Sequence, residues 1–127
     1  NCSVTTKIYM TNTTSPAGIV CNLLNSTMDN CTLKDAVVNG ANGGKAEGGL
    51  AGYVVASTLQ NNKIINSQII GKASPIGVLA GNVDVNTQSS FINNAVSGIF
   101  KGAAITLDSP MIGTGTPTVT GTTLYTE

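Results

Sequence analysis

The chain has 127 residues, six lysines balanced by six acidic residues, no arginine, histidine or tryptophan, and a charged fraction of only 9%. The absence of net positive charge and of arginine excludes the basic surface of a typical nucleic-acid-binding protein. The absence of histidine excludes Ser–His–Asp triads, Cys–His pairs and the usual zinc sites. No apolar run approaches the roughly 20 residues of a membrane-spanning helix, so the chain is predicted not to be transmembrane.

Glycine, asparagine and threonine dominate the remaining composition. Fifteen glycines, 14 asparagines and 17 threonines accompany a hydrophobic fraction of 41%. A disordered polar chain would lack the aliphatic residues, and a helical domain would carry more Leu, Glu and Lys. Short β-branched runs interrupted by Gly and Asn predict many short strands joined by tight turns.

Residues 1–14 are predicted to form an N-terminal segment or cap, because an internal repeat begins at residue 15. Three copies of a six-residue pattern carry the repeat: two small residues, an apolar residue, any residue, Asn, and then Cys or Asn. The copies lie at 26–31, 57–62 and 89–94, about 31 residues apart. A Gly-rich block precedes each copy, and an apolar pair near a glycine closes each one.

A repeat of about 31 residues is too small to bury its own core, so successive copies must stack on one another. Stacking places equivalent residues in columns spaced by about 4.8 Å, the distance between neighbouring strands of a sheet. The predicted apolar columns are Met28, Leu59 and Phe91; Leu33, Ile64 and Val96; and Ile19, Leu50 and Leu79. Asn30, Asn61 and Asn93 are predicted to form a ladder of hydrogen-bonded amides. The third copy is predicted to carry about three extra residues before Ser89.

The predicted fold is therefore all-β: a right-handed parallel β-solenoid, or β-helix, of about four coils, with its repeats over residues 15–108. Residues 109–127 are Thr-rich and are predicted to be a final strand or a linker. The alternative is a β-sandwich with a strand every eight to twelve residues or so, which would have the same composition. A sandwich does not require matched columns at a fixed period.

The second copy resembles the GLUG motif. That family pattern is a Gly-Gly-Leu-x-Gly-aromatic start, a short turn, an Ile-x-Asn-Cys/Ser step and a closing Val-Gly. Here residues 48–53 read Gly-Gly-Leu-Ala-Gly-Tyr, residues 57–62 follow as the step, and the copy closes at Gly71.

The neighbouring copies are similar but less complete. The copy from Gly77 to Gly98 has Asn82 in place of the aromatic residue, and the copy from Gly18 has Cys21 in place of a glycine. The resemblance covers about residues 15–102. It implies a repeat-built stalk or surface module, of the adhesin-like type found in secreted or surface-attached proteins of bacteria and protists. It implies no conserved active site.

The candidates for acid–base chemistry are the six carboxylates Asp29, Asp35, Glu47, Asp84, Asp108 and Glu127. Solenoid glycosidases and lyases need clustered carboxylates, but the predicted column partners of Asp29 and Asp35 are Gln60 and Asn66. We therefore interpret the six carboxylates as solvated turn residues and predict no catalytic residue, no enzymatic activity and no cofactor.

A calcium site is the strongest metal candidate that the sequence offers. It would combine Asp84 with Asn82 and Asn86, three oxygen ligands at alternating positions, but no bidentate glutamate lies nearby. Solvated turn residues are the favoured interpretation, and no metal site is predicted.

The three cysteines, Cys2, Cys21 and Cys31, lie in the first quarter of the chain at spacings that fit no metal motif. In an oxidising compartment one disulfide would fasten the first coil or the N-terminal segment, and the favoured pairing involves Cys2. The alternative for Cys31 is a small core residue that replaces a column asparagine.

Four N-glycosylation sequons begin at Asn1, Asn12, Asn25 and Asn30. So many asparagines in a chain rich in Ser and Thr produce about that number by chance, and the count alone is not evidence of glycosylation. Asn12 and Asn25 are the predicted glycan sites, because Asn30 belongs to the predicted ladder.

The ends of a solenoid expose unpaired backbone groups unless they are capped, and no capping helix is recognisable at either end of the sequence. We therefore predict an extracellular or cell-surface structural or adhesive module. It would stack end to end on further copies, as in a filament, or on neighbouring repeats of a longer chain. A glycan or a host surface is a further candidate partner. The alternatives are a carbohydrate-binding or carbohydrate-active solenoid domain, and a monomeric secreted binding domain with both ends capped.

Overall fold

The computed structural model describes residues 2–5, 7–9, 16–40, 46–72 and 74–126, and these residues form 18 strands and no helix. The strands are β1 (Cys2–Val4), β2 (Lys7–Tyr9), β3 (Val20–Leu24), β4 (Thr27–Asp29), β5 (Cys31–Lys34), β6 (Val37–Gly40), β7 (Glu47–Gly48), β8 (Ala51–Val55), β9 (Thr58–Gln60), β10 (Lys63–Gly71), β11 (Ile76–Gly77), β12 (Ala80–Val83), β13 (Ser90–Ile92), β14 (Ala95–Phe100), β15 (Ala103–Ala104), β16 (Ile112–Thr114), β17 (Thr118–Thr120) and β18 (Thr123–Leu124).

The strands build three sheets that run along the molecule, and consecutive turns of the chain supply neighbouring strands. A fourth, two-stranded sheet pairs β7 with β11. Sheet 1 contains β3, β8, β12 and β16, and sheet 2 contains β4, β9, β13 and β17. Sheet 3 contains β1 and β2, then β5 and β6, then β10, β14, β15 and β18. We call each strand's place in such a stack a rung. All pairs are parallel except β14 with β15. The predicted parallel β-solenoid is confirmed.

The period of the coil follows from the register of sheets 1 and 2, where four rungs are separated by three turns. Equivalent residues of the first and second rungs are 31 residues apart, as for Ser26 and Ser57. The next interval is 32 residues, from Ser57 to Ser89. The predicted repeat length is therefore confirmed.

The core lies between the three sheets and includes the predicted apolar columns. Pairing of β4, β9 and β13 aligns the first column, and pairing of β5, β10 and β14 aligns the second. Every member of these two columns is buried: Met28, Leu59, Phe91, Leu33, Ile64 and Val96. In the third column Leu50 and Leu79 are fully buried, and Ile19 is half-buried.

The corner between sheets 2 and 3 requires a left-handed backbone. Asn30, Asn61 and Asn93 occupy this corner with φ of 56°, 58° and 54°, and Gly121 follows with φ of 66°. Asparagine and glycine adopt this conformation more readily than other residues. The repeated asparagine therefore reflects the turn that the chain makes at this point.

The third turn contains the predicted extra residues. Val54 pairs with Val83 and Thr58 pairs with Ser90, so three more residues separate the second pair of partners than the first. They form a turn outside the rungs, where Val85 is 65% exposed. The coil accommodates this loop without changing the register of the following strands.

Both terminal segments belong to the coil. Strands β1 and β2, within residues 1–14, form the first rung of sheet 3 by pairing with β5 and β6. Strands β16, β17 and β18, within residues 109–127, add a last parallel rung to each of the three sheets. The final segment is thus three short strands joined to the repeats by backbone hydrogen bonds.

Candidate functional site

The predicted ladder of Asn30, Asn61 and Asn93 is wrong by one residue. All three side chains are exposed at the corner described above. The amides that stack inside the coil belong to Asn62 and Asn94, which are 1% and 0% exposed.

The buried amides connect successive turns. Asn62 Oδ1 accepts a hydrogen bond from the Cys31 N–H at 2.9 Å, and Asn94 Oδ1 accepts one from the Asn62 N–H at 3.0 Å. Asn62 Nδ2 donates to Asn94 Oδ1 at 3.1 Å and to the Met28 carbonyl at 3.2 Å. Asn94 Nδ2 donates to the Leu59 carbonyl at 3.0 Å. Each amide thus satisfies backbone groups of the turn before it.

The register extends this column, which we call the amide ladder, to residues that are not asparagine. Cys2 pairs with Cys31 at the N-terminal end, and Thr122 lies beside Asn94 at the C-terminal end. Thr122 Oγ1 is buried without a hydrogen-bond partner. The amide ladder is therefore complete in the middle of the coil and replaced at both ends.

A second polar column lies at the corner between sheets 1 and 2. Ser57 Oγ accepts a hydrogen bond from the Ser26 N–H at 3.0 Å and donates to the Val55 carbonyl at 2.8 Å. Ser89 Oγ accepts one from the Ser57 N–H at 3.1 Å. The six-residue pattern of the sequence therefore specifies two corners and the short strand between them.

The three cysteines occupy two different places. Cys2 and Cys31 lie opposite each other in β1 and β5, and Cys31 is buried whereas Cys2 is exposed. Partial burial and a hydrogen bond to the Cys31 thiol raise the pKa of Cys2 to about 11. Cys21 is exposed on β3, in the column that continues with Gly52. All three are free thiols in this structure.

Three of the four aspartates predicted to be solvated turn residues accept a hydrogen bond from a neighbouring side chain. Asp29 accepts from Asn61 Nδ2 at 3.1 Å, and Asp35 accepts from Asn66 Nδ2 at 2.9 Å. Asp84 accepts from Thr87 Oγ1 at 3.2 Å. Among the residues that the structure describes, no three His, Cys, Asp or Glu side chains come together.

Glu47 differs from these aspartates. The sequence predicts that it is a solvated turn residue, but its side chain is 0% exposed. Its Oε1 accepts a hydrogen bond from the Gly40 N–H at 2.8 Å, and its Oε2 has no partner. Burial raises its pKa to about 8, against opposing contributions from the Gly40 N–H and Lys101.

A tight approach between turns explains this burial. A Cβ at Gly81 would collide with the backbone nitrogen of Glu47, so a glycine is required at this point of the next turn. The Gly-rich block in the sequence indicates such close packing, but a glycine does not reveal which side chain lies against it.

Concave surfaces on the described part of the chain include two that lie on different parts of the coil. One, of about 320 Å³, lies on sheet 3 and is lined mainly by polar groups, including Asp35, Asn66 and Gln68. The other, of about 310 Å³, lies at the N-terminal end of the coil and is lined by both Cys2 and Cys31 together with apolar residues of β3 and β4.

At the C-terminal end, the apolar columns emerge from the core. Val119 pairs with the fully buried Phe91 but is itself 39% exposed. Leu124 pairs with the fully buried Val96 and is 43% exposed. The last rung therefore presents apolar side chains with no further rung over them within residues 74–126.

At both ends the outer backbone edges are open along sheets 1 and 2. No described strand pairs with the outer edges of β3 and β4, or with those of β16 and β17. In sheet 3, β15 folds back antiparallel on β14 and covers part of the C-terminal edge, whereas β18 remains open.

The predicted glycan sites differ in what can be said of them. Asn25 is exposed at a corner with φ of 49°. Asn12 lies outside the described residues. No helix long and apolar enough to cross a bilayer occurs in the described part of the chain.

Comparisons of the chain with protein-family models, with curated proteins and with solved structures returned no match. The resemblance to the GLUG motif therefore stays a prediction.

Proposed function

We propose that the chain is a structural or adhesive module, extracellular or on a cell surface, that extends by adding rungs at its ends. The new rungs come from further copies of the chain or from neighbouring repeats of a longer one. Its role is mechanical rather than catalytic. The observation that carries this proposal is that both ends of the coil have open parallel edges in the same three sheets.

Sheets 1 and 2 have complementary edges at the two ends. If the last rung of one copy meets the first rung of the next, β16 lies beside β3 and β17 beside β4. Sheet 3 has five rungs against four in the other two sheets, so β18 and the next copy's β1 meet at the same place beside β5, and only one of them can pair there. Each new pair would continue a parallel sheet and satisfy edge backbone groups that water otherwise solvates.

The apolar columns support the same arrangement. Val119 would lie over Met28 of the next copy, because both belong to one column. Burial of these side chains would remove apolar area from water, at about 25 cal/mol per Å². The contact is heterologous, so it repeats without closing and produces a filament.

Electron microscopy of the purified chain tests the assembly directly. We expect filaments with an axial spacing between rungs of about 4.8 Å. Discrete monomeric particles over a range of concentrations would overturn the proposal that copies of this chain stack on one another.

Cysteine cross-linking tests the register. In a background with Cys2→Ser, Cys21→Ser and Cys31→Asn, the pair Asp29→Cys and Thr120→Cys places one thiol at each end of the same column. Head-to-tail stacking brings their Cα atoms to about 4.8 Å, within the range that a disulfide spans. We expect a ladder of reductant-sensitive multimers on oxidation.

The matched control is Asp29→Cys with Thr118→Cys, which is two residues out of register. Its Cα atoms would be about 8 Å apart across the same interface, too far for a disulfide. Equal cross-linking of both pairs would contradict the proposed register, and no cross-linking of either would contradict the interface.

The second candidate function is carbohydrate binding on sheet 3. The groove there offers a carboxylate and amides at Asp35, Asn66 and Gln68 beside the 38% exposed Ile99, and polar side chains beside an apolar surface suit a sugar ring. Glycan-array binding that is lost with Gln68→Ala, and unchanged with Gln88→Ala on the opposite loop, would favour this candidate. No binding at millimolar glycan would remove it.

A further inference from the structure

The first two rungs of sheet 3 each contain a cysteine, and the two cysteines are in register. Pairing of β1 with β5 is continuous over three residues, with Cys2 opposite Cys31, Ser3 opposite Thr32 and Val4 opposite Leu33. In-register residues of parallel strands direct their side chains to the same face. The two thiols therefore belong to one column, which is the amide ladder.

The two thiols lie close together. Both residues line the cavity at the N-terminal end of the coil, and the Cys31 thiol is one of the causes that raise the pKa of Cys2. Neighbouring strands hold their Cα atoms about 4.8 Å apart, inside the range of about 4.4–6.8 Å that disulfides span. The Cα spacing therefore permits a disulfide between them.

The third cysteine is placed differently. Cys21 is on β3 in sheet 1, and its neighbour in register is Gly52 on the following rung. It does not line the cavity that contains the other two. The geometry therefore selects one of the three pairings that the sequence leaves open.

We propose that Cys2 and Cys31 form a disulfide that fastens the first rung to the coil, and that Cys21 remains a free thiol. The two thiols lose two protons and two electrons as the S–S bond forms. A low-molecular-weight disulfide such as oxidised glutathione accepts them and is released as two thiols. The inference does not rest on end-to-end stacking.

The place of the two cysteines in the amide ladder explains the role of the disulfide. In the middle rungs, the side chain at this column is an asparagine whose amide joins one turn to the next. A cysteine in that place has only a weak donor, and Cys31 Sγ reaches the Asp29 carbonyl at 3.7 Å. A covalent bond to Cys2 supplies the connection between rungs that the amide supplies elsewhere.

Chemical cleavage at methionine tests the pairing. Cleavage after Met10, Met28 and Met111 separates the three cysteines into three different fragments. The folded chain is equilibrated in a glutathione redox buffer, free thiols are trapped with iodoacetamide, and the fragments are weighed before and after reduction. We expect fragment 1–10 joined to fragment 29–111, with the alkylated fragment 11–28 separate.

Two variants keep the result interpretable. Cys21→Ser is expected to keep the linked pair, and Cys2→Ser, at an exposed residue, is expected to lose it while the coil still folds. Oxidation of the unsubstituted chain and of Cys21→Ser should raise the midpoint of thermal unfolding by about 10 °C, and oxidation of Cys2→Ser should leave it unchanged. Alkylation of all three cysteines under oxidising conditions, or a link that includes Cys21, would overturn the proposal.

Discussion

The middle and the ends of this coil follow one sequence pattern but complete it differently. In the two middle turns, serine and asparagine side chains are buried and bonded to the backbone of the turn before them. At the N-terminal end the asparagine is replaced by Cys31, and at the C-terminal end by Thr122, whose hydroxyl is buried without a partner. The contrast therefore identifies the ends as the regions where the fold is least self-sufficient.

The largest difference between the middle and the end of the coil is expected in the loss of unfolding free energy when Phe91 or Val119, which share a column, is replaced by alanine. Phe91 is fully buried, so Phe91→Ala should lower the free energy of unfolding by about 3–5 kcal/mol. Val119→Ala, one rung further on, should cost less than about 1 kcal/mol, because Val119 is already 39% exposed. Urea unfolding monitored by circular dichroism measures both. Equal losses would mean that the last rung is covered in solution.

The next largest effect is the pH dependence of stability that the buried carboxyl of Glu47 causes. The pKa of Glu47 is raised from 4.5 to about 8, so the folded state binds a proton that the unfolded state releases between these values. This contribution to stability is fully present below about pH 4.5 and is lost as the pH rises through about 8, by at most about 5 kcal/mol.

Glu47→Gln copies the protonated carboxyl and should remove this slope. The variant is expected to unfold at nearly the same urea concentration from pH 5 to pH 9, whereas the midpoint of the unsubstituted chain falls over that range. Parallel pH profiles for the two chains would show that Glu47 is ionised or solvated in the folded state.

Within the amide ladder, we expect a smaller difference in stability cost between a substitution in the middle and one at the C-terminal end. Asn62→Ala removes the acceptor of the Cys31 N–H and the donor to the Met28 carbonyl, and it should cost about 2–3 kcal/mol because buried backbone groups lose their partners. Thr122→Val in the same column removes a hydroxyl that has no partner, so it should be neutral or slightly stabilising. A loss at Thr122 as large as that at Asn62 would contradict the assignment of the ladder's end.

The smallest expected effect concerns the corner of sheets 2 and 3. Asn93 has φ of 54°, and a β-branched residue there is strained, so Asn93→Val should cost about 1–2 kcal/mol. Asn93→Gly reproduces the residue that already stands at Gly121 in the following turn, with φ of 66°. It should change stability by only a few tenths of a kcal/mol. Thermal unfolding of the two variants compares them; equal losses would locate the cost in the asparagine side chain rather than in its backbone.

The apolar columns could be predicted from the sequence because a 31-residue period aligns like with like. The extra loop of the third turn was predictable for the same reason. The amide ladder was misplaced because two residues of similar chemistry stand together at each corner. Strict alternation from Leu59 directs Asn61 inward, but the left-handed backbone at Asn61 interrupts the alternation and turns Asn62 inward instead.

The burial of Glu47 could not be predicted, since it depends on a contact between non-neighbouring segments. The repeat of the sequence does not indicate that the turn containing Gly81 packs against the backbone of Glu47. The same holds for the contact of Cys2 with Cys31. The two cysteines are separated by one turn that is shorter than the repeat, as their register shows.

The loop between Val83 and Ser90 is three residues longer than the matching segment of the turn before it, and Val85 within it is exposed and pairs with no strand. Sequence can therefore change there, in length as well as in kind, without disturbing the neighbouring turns. A foreign peptide inserted after Val85, for display or for labelling, would be carried at a fixed height on the coil. The molecule is thus rigid along its axis and permissive at one point on its circumference.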